Sequence, residues 1–493
     1  MNVDVRPSAS LPTQVLVPWW VTLLDVVIAV TALLLLSAVL FEGVRVRFGD
    51  MRISATSVAK LGGACLALLV ARHALFRRPA WPTRLASALR HAWHEAGVRQ
   101  VLPWVATSRL TVLAAAYTAV LVIGYPEGAP PFRASANEFN NLLARWDTGW
   151  YLGIADSGYE HSASARRQTN VAFFPAYPLT VRAVAGLLGA RWGSPDYPVD
   201  TFETFNERRG VRMLLSGWLV SMTALVFGMG YLFRLARDLT GSEEAATRAV
   251  ILASVYPFAF FFGAVYTESL YLLAIVAAVY HFRERQWIWS AVAGLVAGLT
   301  RPNGCLLSIP LAILALHAWR QDGYRTATAL RALATASMPG IGMLIFTWWL
   351  HAHTGEWFIW LEAHAAWGRQ LGGLHVLLVT RWQHLNDLGP YGYTVVYSVE
   401  MFNMAATAFV LAVSWPVARR YGAAYAALLL LTVVPPLFMG GFLSLGRITA
   451  TLFPVFIYLG ARLSSSALPH VALVMFGLQV ALAVMHYTWR QVY

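Results

Sequence analysis

Apolar runs of about 20 residues, the length that crosses a bilayer as a helix, fill most of this chain between short charged or Gly/Pro breaks. They predict helical spans near residues 16–41, 57–76, 101–124, 211–233, 248–263, 266–282, 287–300, 303–319, 330–352, 394–416, 421–439, 449–463 and 466–486, about 13 transmembrane helices in all. The runs around 265 and 302 are short for a full crossing. They are expected to stop at a buried cavity or to sit where the bilayer thins. Two longer intervals, 125–210 and 353–393, carry no spanning run. In 134–190 aromatic and aliphatic residues recur at helical spacing. In 353–385, Trp357, Phe358, Trp360, Leu361, Ala365 and Trp367 alternate with Glu356, Glu362, His364 and Arg369. Both read as helices lying in the headgroup plane. The expected fold is an all-α polytopic membrane bundle with interfacial helices in its first large loop. Residues 1–100 would hold two spans and a basic loop, and residues 101–493 the remaining spans with loops 125–210 and 353–393.

Composition supports that class. Hydrophobic residues make up 58% and charged residues 12%, with a mean hydropathy of +0.55; a soluble domain carries roughly 25% charge. The net charge of +13 is almost all arginine, Lys60 being the only lysine. The arginines gather at span ends, where topology and anionic headgroups explain them, so no nucleic-acid partner is expected. Arg77, Arg78, Arg84, Arg90 and Arg99, then Arg234 and Arg237, Arg283 and Arg285, Arg320, Arg325 and Arg331, Arg419 and Arg420, and Arg462 occupy alternate connections. The positive-inside rule makes those connections cytoplasmic and the intervals 125–210 and 353–393 extracytoplasmic. Cys65 and Cys305 lie in apolar stretches and imply no disulfide framework. The first apolar run is too long for a cleaved signal and reads as a retained span. The preference for arginine over lysine suggests a GC-rich bacterial genome, hence a bacterial cell membrane.

The segments with chemical potential fall on one face. Arg145-Trp146-Asp147-Thr148-Gly149-Trp150-Tyr151 sets a single acid between a base and aromatic rings, and Asn170 to Pro178 follows with Phe174 and Tyr177. Aromatic faces suit the apolar face of a pyranose, and one ionised oxygen can take a proton from a hydroxyl. Asp147 before Thr148-Gly149 equally suits a helix cap, and Trp146, Trp150 and Tyr151 equally suit an aromatic belt. Glu268 opens one short helix and Arg301 closes another, beside Pro302, Asn303 and Gly304; both also fit simple helix-end charges. Arg301 and Arg447 have the guanidinium fork that matches a phosphate. His91, His94 and Glu95 lack the order of a zinc helix, and His351, His353 and His364 make at most a weak metal candidate. There is no phosphate loop for ATP and no Asp-x-Asp pair for a nucleotide-sugar metal. Neither a metal nor a cofactor is therefore expected.

Arg145-Trp146-Asp147 with Trp150-Tyr151, Ile154-Ala155 and Gly158-Tyr159, then Ala172 to Pro178, Ala264 to Leu270 and Thr300 to Gly304, resemble the PIG-V family of mannosyltransferases. The resemblance runs from about Pro103 to the C-terminus and leaves out the first two spans. Pro302 stands where the family commonly has serine, and Ala176 where leucine or phenylalanine is usual. The resemblance implies a GT-C-type multi-span fold, an extracytoplasmic active site and a polyprenyl-phosphate sugar as donor, with a lipid, glycan or protein as acceptor. It makes Asp147 the catalytic base. Arg145, Trp146, Trp150, Tyr151, Asn170, Phe174, Tyr177, Glu268, Arg301, Asn303 and Arg447 become candidates for substrate binding. A lipid or glycan flippase is the main rival, but it would place ionisable groups at the midplane and often show internal repeats. A non-catalytic membrane scaffold is the other.

Overall fold

Each of the thirteen apolar runs becomes a helix in the computed structural model, which describes residues 17–41, 43–48, 51–94, 97–160, 167–190, 207–369, 372–439 and 441–492. Eight helices among the described residues are long and apolar enough to cross a membrane: Trp19–Phe41, Val58–Leu75, Val98–Val122, Arg209–Thr240, Pro302–Gln321, Thr326–Thr354, Ser398–Tyr421 and Leu468–Tyr487. The remaining apolar runs form shorter helices, as with Glu243–Val255, Glu268–Arg283 and Trp287–Thr300. At 1.5 Å per residue a 13-residue helix such as Glu243–Val255 covers only about 20 Å.

The chain divides into two compact units. The first comprises residues 1–91 with 187–189. In it Asp25, inside the first apolar helix, is paired: its carboxylate accepts from Arg72 Nε at 2.8 Å and from Arg84. A two-stranded antiparallel hairpin, Val44–Phe48 with Met51–Ala55, separates the two long helices of this unit. The pattern of apolar runs predicts only a connection between two spans here. Its period-two alternation, Val44-Arg45-Val46-Arg47-Phe48, is too short to compete with the flanking apolar runs.

The second unit, residues 92–186 with 190–493, holds the remaining helices. Its short helices end on irregular backbone that is buried in protein. Glu243–Val255 stops before Pro257 and passes into a buried 3-10 turn, Ala259–Gly263. The carbonyls freed by that break need donors, because lipid supplies none. Arg109, from the Val98–Val122 helix, donates to the carbonyls of Ser254 (2.8 Å) and Ala259. Gln479 donates to those of Tyr256 (2.6 Å) and Ser254 (3.1 Å). Trp287–Thr300 breaks in the same way into the 3-10 segment Pro302–Leu307. That helix presses so closely on Thr326–Thr354 that a Cβ at Gly298 would overlap the Pro339 carbonyl, which explains glycine there.

The interval 125–190 contains short helices at Glu138–Asn141, Thr148–Ser157 and Ala176–Leu187, with a 3-10 turn at Asn170–Ala172. The interval 353–393 contains Ile359–Ala363, the 3-10 turn His364–Trp367 and much of Gly373–Val396, which kinks at Gly389-Pro390. Segments from both intervals meet around one cavity.

Candidate active site

Asp147 occupies the N-cap position of the Thr148–Ser157 helix, yet its side chain caps nothing. Its backbone is already helical (φ −60°, ψ −14°), whereas a capping side chain folds back from an extended residue. The preceding Trp146 enters the turn through the left-handed region at φ 48°. The Asp147 N–H donates to Tyr266 Oη at 3.0 Å, and its Oδ2 accepts from Arg447 Nη1 at 2.8 Å. Oδ1 receives no hydrogen bond among the described residues and stays available as an acceptor.

Arg447 lies on a single helical turn, Leu445–Thr449, entered through Ser444 at φ 60°. The Phe258 ring packs directly on the backbone of Gly446, where any Cβ would overlap it. Arg447 faces the rings of Phe261 and Tyr266 at 5.5 and 5.3 Å, and its Nε is 2.8 Å from Glu268 Oε1. Glu268 opens the Glu268–Arg283 helix and is fully buried. Arg301 Nη1 approaches the same Glu268 oxygen at 3.2 Å. The residue before a proline is driven out of the helical region, and Arg301 obeys, at φ −152° and ψ 152° ahead of Pro302. That extended residue turns the chain out of the Trp287–Thr300 helix and brings the guanidinium to Glu268.

The result is a chain of ion pairs, Asp147–Arg447–Glu268–Arg301, drawn from four distant stretches of sequence. Among the described residues neither Glu268 oxygen receives a well-aligned hydrogen bond, so its compensation is ionic. Removing one partner from such a buried array leaves an uncompensated charge, at about 3–5 kcal/mol. Burial alone would pull the Arg447 guanidinium down, but Glu268 and Asp147 outweigh it and hold its pKa well above the ordinary value.

These groups open onto a cavity of about 350 Å³. Asp147, Arg301, Arg369 and Arg447 form its charged side, and Tyr151, Phe173, Phe174, Trp360 and Trp367 its aromatic wall. The wall is one packed set of rings: Phe174 meets Trp360 at 5.2 Å, and Phe173 meets Tyr151 at 5.2 Å and Trp367 at 5.7 Å. Leu431, Pro435, Met439 and Leu443 add an apolar side. Burial raises the Tyr151 phenol, which stays protonated at neutral pH. Burial lowers His364 to about 4, so its imidazole is neutral, with Nδ1 2.6 Å from the Trp360 carbonyl. Arg369 is lowered to about 10 by burial and by the nearby Arg447 and Arg301, and remains a cation at neutral pH.

Of the residues expected from the sequence, Asp147, Tyr151, Phe174, Arg301, Asn303 and Arg447 line the cavity, and Glu268 stands directly behind it. The rest lie off its wall. Arg145 is buried, with its fork donating to the carbonyls of Tyr487 (2.7 Å), Asn141 (2.7 Å) and Ala144 (2.8 Å) and to Tyr125 Oη. Trp146 donates to the His486 carbonyl, and Trp150 stacks on Phe173. Asn170 ties Gly158 to Glu160, and Tyr177 donates to the Gly217 carbonyl. These contacts shape the loop that carries Asp147. In the sequence Trp360, His364, Trp367 and Arg369 fall on an interfacial segment that no local pattern links to the site. Their clustering beside the first loop is tertiary, and only their location on the same predicted face hinted at it. His351 stacks on Trp357 and His353 bonds the Trp349 carbonyl; among the described residues no group of three or more His, Cys, Asp or Glu gathers as a metal set would. The side chains of His91 and His94, and Glu95 as a whole, fall outside the described residues.

Residues 126–331 match the family model of the mannosyltransferases (PIG-V). No curated protein matches the chain. Among solved structures, the chain is similar to the Archaeoglobus fulgidus oligosaccharyltransferase tethered to an acceptor peptide with an NVT sequon. The TM-score is 0.31 and the identity 13%, over 76% of this chain and 55% of that one, so this chain spans about half the length of that neighbour.

The ion-pair chain makes a stability prediction. Glu268→Gln keeps the shape but leaves Arg301 and Arg447 short of a counter-charge, so unfolding in detergent should become easier by about 3–5 kcal/mol. The Glu268→Gln/Arg301→Gln double variant should lose clearly less than the sum of the singles. Additive losses, or a single-variant loss within about 0.5 kcal/mol, would show that the array carries no such compensation.

Proposed function

We propose that this chain, with its mannosyltransferase (PIG-V) segment at residues 126–331, is an integral membrane glycosyltransferase that moves mannose from a polyprenyl-phosphate donor. The acceptor is a hydroxyl on a lipid, glycan or protein, and transfer takes place at the extracytoplasmic face of a bacterial cell membrane. One observation carries the reading: a carboxylate, Asp147, held by Arg447 through one oxygen only, lines a cavity with an aromatic wall and a guanidinium side. An aromatic wall accepts a sugar ring, the apolar side accepts the first units of a lipid chain, and guanidiniums accept a phosphate.

The reaction follows from that arrangement. The acceptor O–H gives its proton to Asp147 as the oxygen bonds to the anomeric carbon. The bond from that carbon to the phosphate oxygen breaks on the opposite side, and its electron pair leaves with the phosphate. A single displacement inverts the centre, so a β-phosphomannose yields an α-mannoside. Arg447 fixes the direction of the carboxylate, and the guanidiniums stabilise the charge that develops on the leaving phosphate. This chemistry assigns no role to a metal ion. Glu268, Tyr151, Phe174 and Asn303 position the charged side and the sugar pocket, while Arg145, Trp146, Trp150, Asn170 and Tyr177 hold the loop in register.

Three measurements test this. Asp147→Asn preserves size and one acceptor oxygen but cannot take the proton; transfer should fall by about 10²-fold or more, the scale of general-base help, with the fold intact. Near wild-type turnover would remove the catalytic role. Dialysis against EDTA should leave transfer unchanged, and activity lost on chelation but restored by Mg²⁺ or Mn²⁺ would refute the metal-free route. For topology, single cysteines are placed at Glu127 and at Ser87 in a chain with Cys65 and Cys305 replaced by alanine. An impermeant reagent should label the first from outside the cell and the second only after the membrane is opened. Labelling of both from one side would overturn the extracytoplasmic assignment.

A further inference from the structure

The charges around the cavity do not cancel. Asp147 and Glu268 are matched by Arg447 and Arg301 in the ion-pair chain. Arg369, the third guanidinium on the cavity wall, has no such match. Among the described residues the one hydrogen bond of its side chain runs from Nη2 to the Leu443 carbonyl, at a long 3.3 Å, and no carboxylate lies within ion-pair distance of it. Among the described residues three guanidiniums therefore face two carboxylates, a surplus of one positive charge beside an apolar wall. An unbalanced cation in a low-dielectric site is costly unless an anion joins it.

A phosphodiester carries a single negative charge and oxygens spaced for a guanidinium fork. We infer that Arg369 is the principal ligand of the donor's phosphate, and that Arg301 and Arg447, held by Glu268, orient the site and contribute the weaker share of the positive charge on that phosphate. Arg369 stands where Leu443, Met439 and Pro435 supply the apolar side, so a phosphate bound there has its lipid chain directed along that side and its sugar toward Phe173, Trp367 and Asp147. The ligand's identity rests on the transfer reading above; the existence of an anion site does not.

The test is binding of two probes to the purified full-length protein: a short-chain polyprenyl phosphate and the matching uncharged prenol. The wild type should prefer the phosphate by about tenfold or more, a preference that added salt weakens. Arg369→Gln keeps an N–H donor for the Leu443 carbonyl but loses the charge. It should retain the wild-type unfolding temperature and prenol affinity while losing most of the preference for phosphate. Arg369→Lys should keep part of it, because it retains the charge without the fork. A wild type with no preference, or an Arg369→Gln variant that keeps the full preference, overturns the inference. The two readings fail separately. A wild type that binds phosphate through Arg369 but transfers no mannose refutes the transfer reading and leaves the anion site standing. A wild type that transfers mannose while Arg369→Gln matches it in phosphate preference and in donor KM does the reverse.

Discussion

A carboxylate buried away from water is stable only if counter-charge reaches it, and Glu268 is fully buried with two guanidiniums against one of its oxygens. Much of the site's geometry follows from that need. Arg301 reaches Glu268 because Pro302 forces the preceding residue out of the helix. Arg447 reaches both Glu268 and Asp147 because a left-handed Ser444 and a side-chain-free Gly446 let a single helical turn sit against Phe258. Three of the six described non-glycine residues at positive φ, Trp146, Phe358 and Ser444, each precede a short helix that contributes to the cavity. Such conformations cost of order 1–3 kcal/mol each and persist only where surrounding contacts over-determine them.

Arginine does two separate jobs in this molecule. At Arg109 and Arg145 the guanidinium replaces missing backbone donors, tying carbonyls at helix breaks and helix ends that lipid could not satisfy. Asp147, two residues beyond Arg145, inherits its position from that anchoring to the C-terminal helix. At Arg301, Arg369 and Arg447 the same group faces a cavity and sets its charge. The apolar bundle makes both jobs demanding, since a misplaced guanidinium has no water to turn to.

The helices were legible in the sequence because hydropathy over about 20 residues is a strong, local signal. All thirteen apolar runs became helices, and the short runs near 265 and 302 do end on irregular buried backbone. The hairpin at 44–55 was not legible, since five alternating residues between two long apolar runs carry little weight. Glu268, Arg301 and Arg447 stood out as charges at the ends of spans and Asp147 as the acid of an aromatic motif, and the structure joins them into one array. Their pairing depends on contacts across as many as 300 residues, which no local pattern encodes. Arg145 stood out for the same reason as Asp147 and yet serves the backbone; a motif marks a neighbourhood without saying which of its side chains faces the cavity. Arg369 did not stand out because what sets it apart, the lack of a carboxylate partner among the described residues, is visible only once the other charges have been paired.

The most direct test of the account follows the anomeric carbon itself. Purified protein is incubated with a polyprenyl β-phosphomannose labelled with ¹³C at the anomeric position, together with a membrane lipid extract, and the product is isolated and examined by NMR. The account predicts a new mannoside whose labelled carbon has the α configuration. A β-linked product would contradict the single displacement with Asp147 as base, and the absence of any transferred label would contradict glycosyl transfer from this donor.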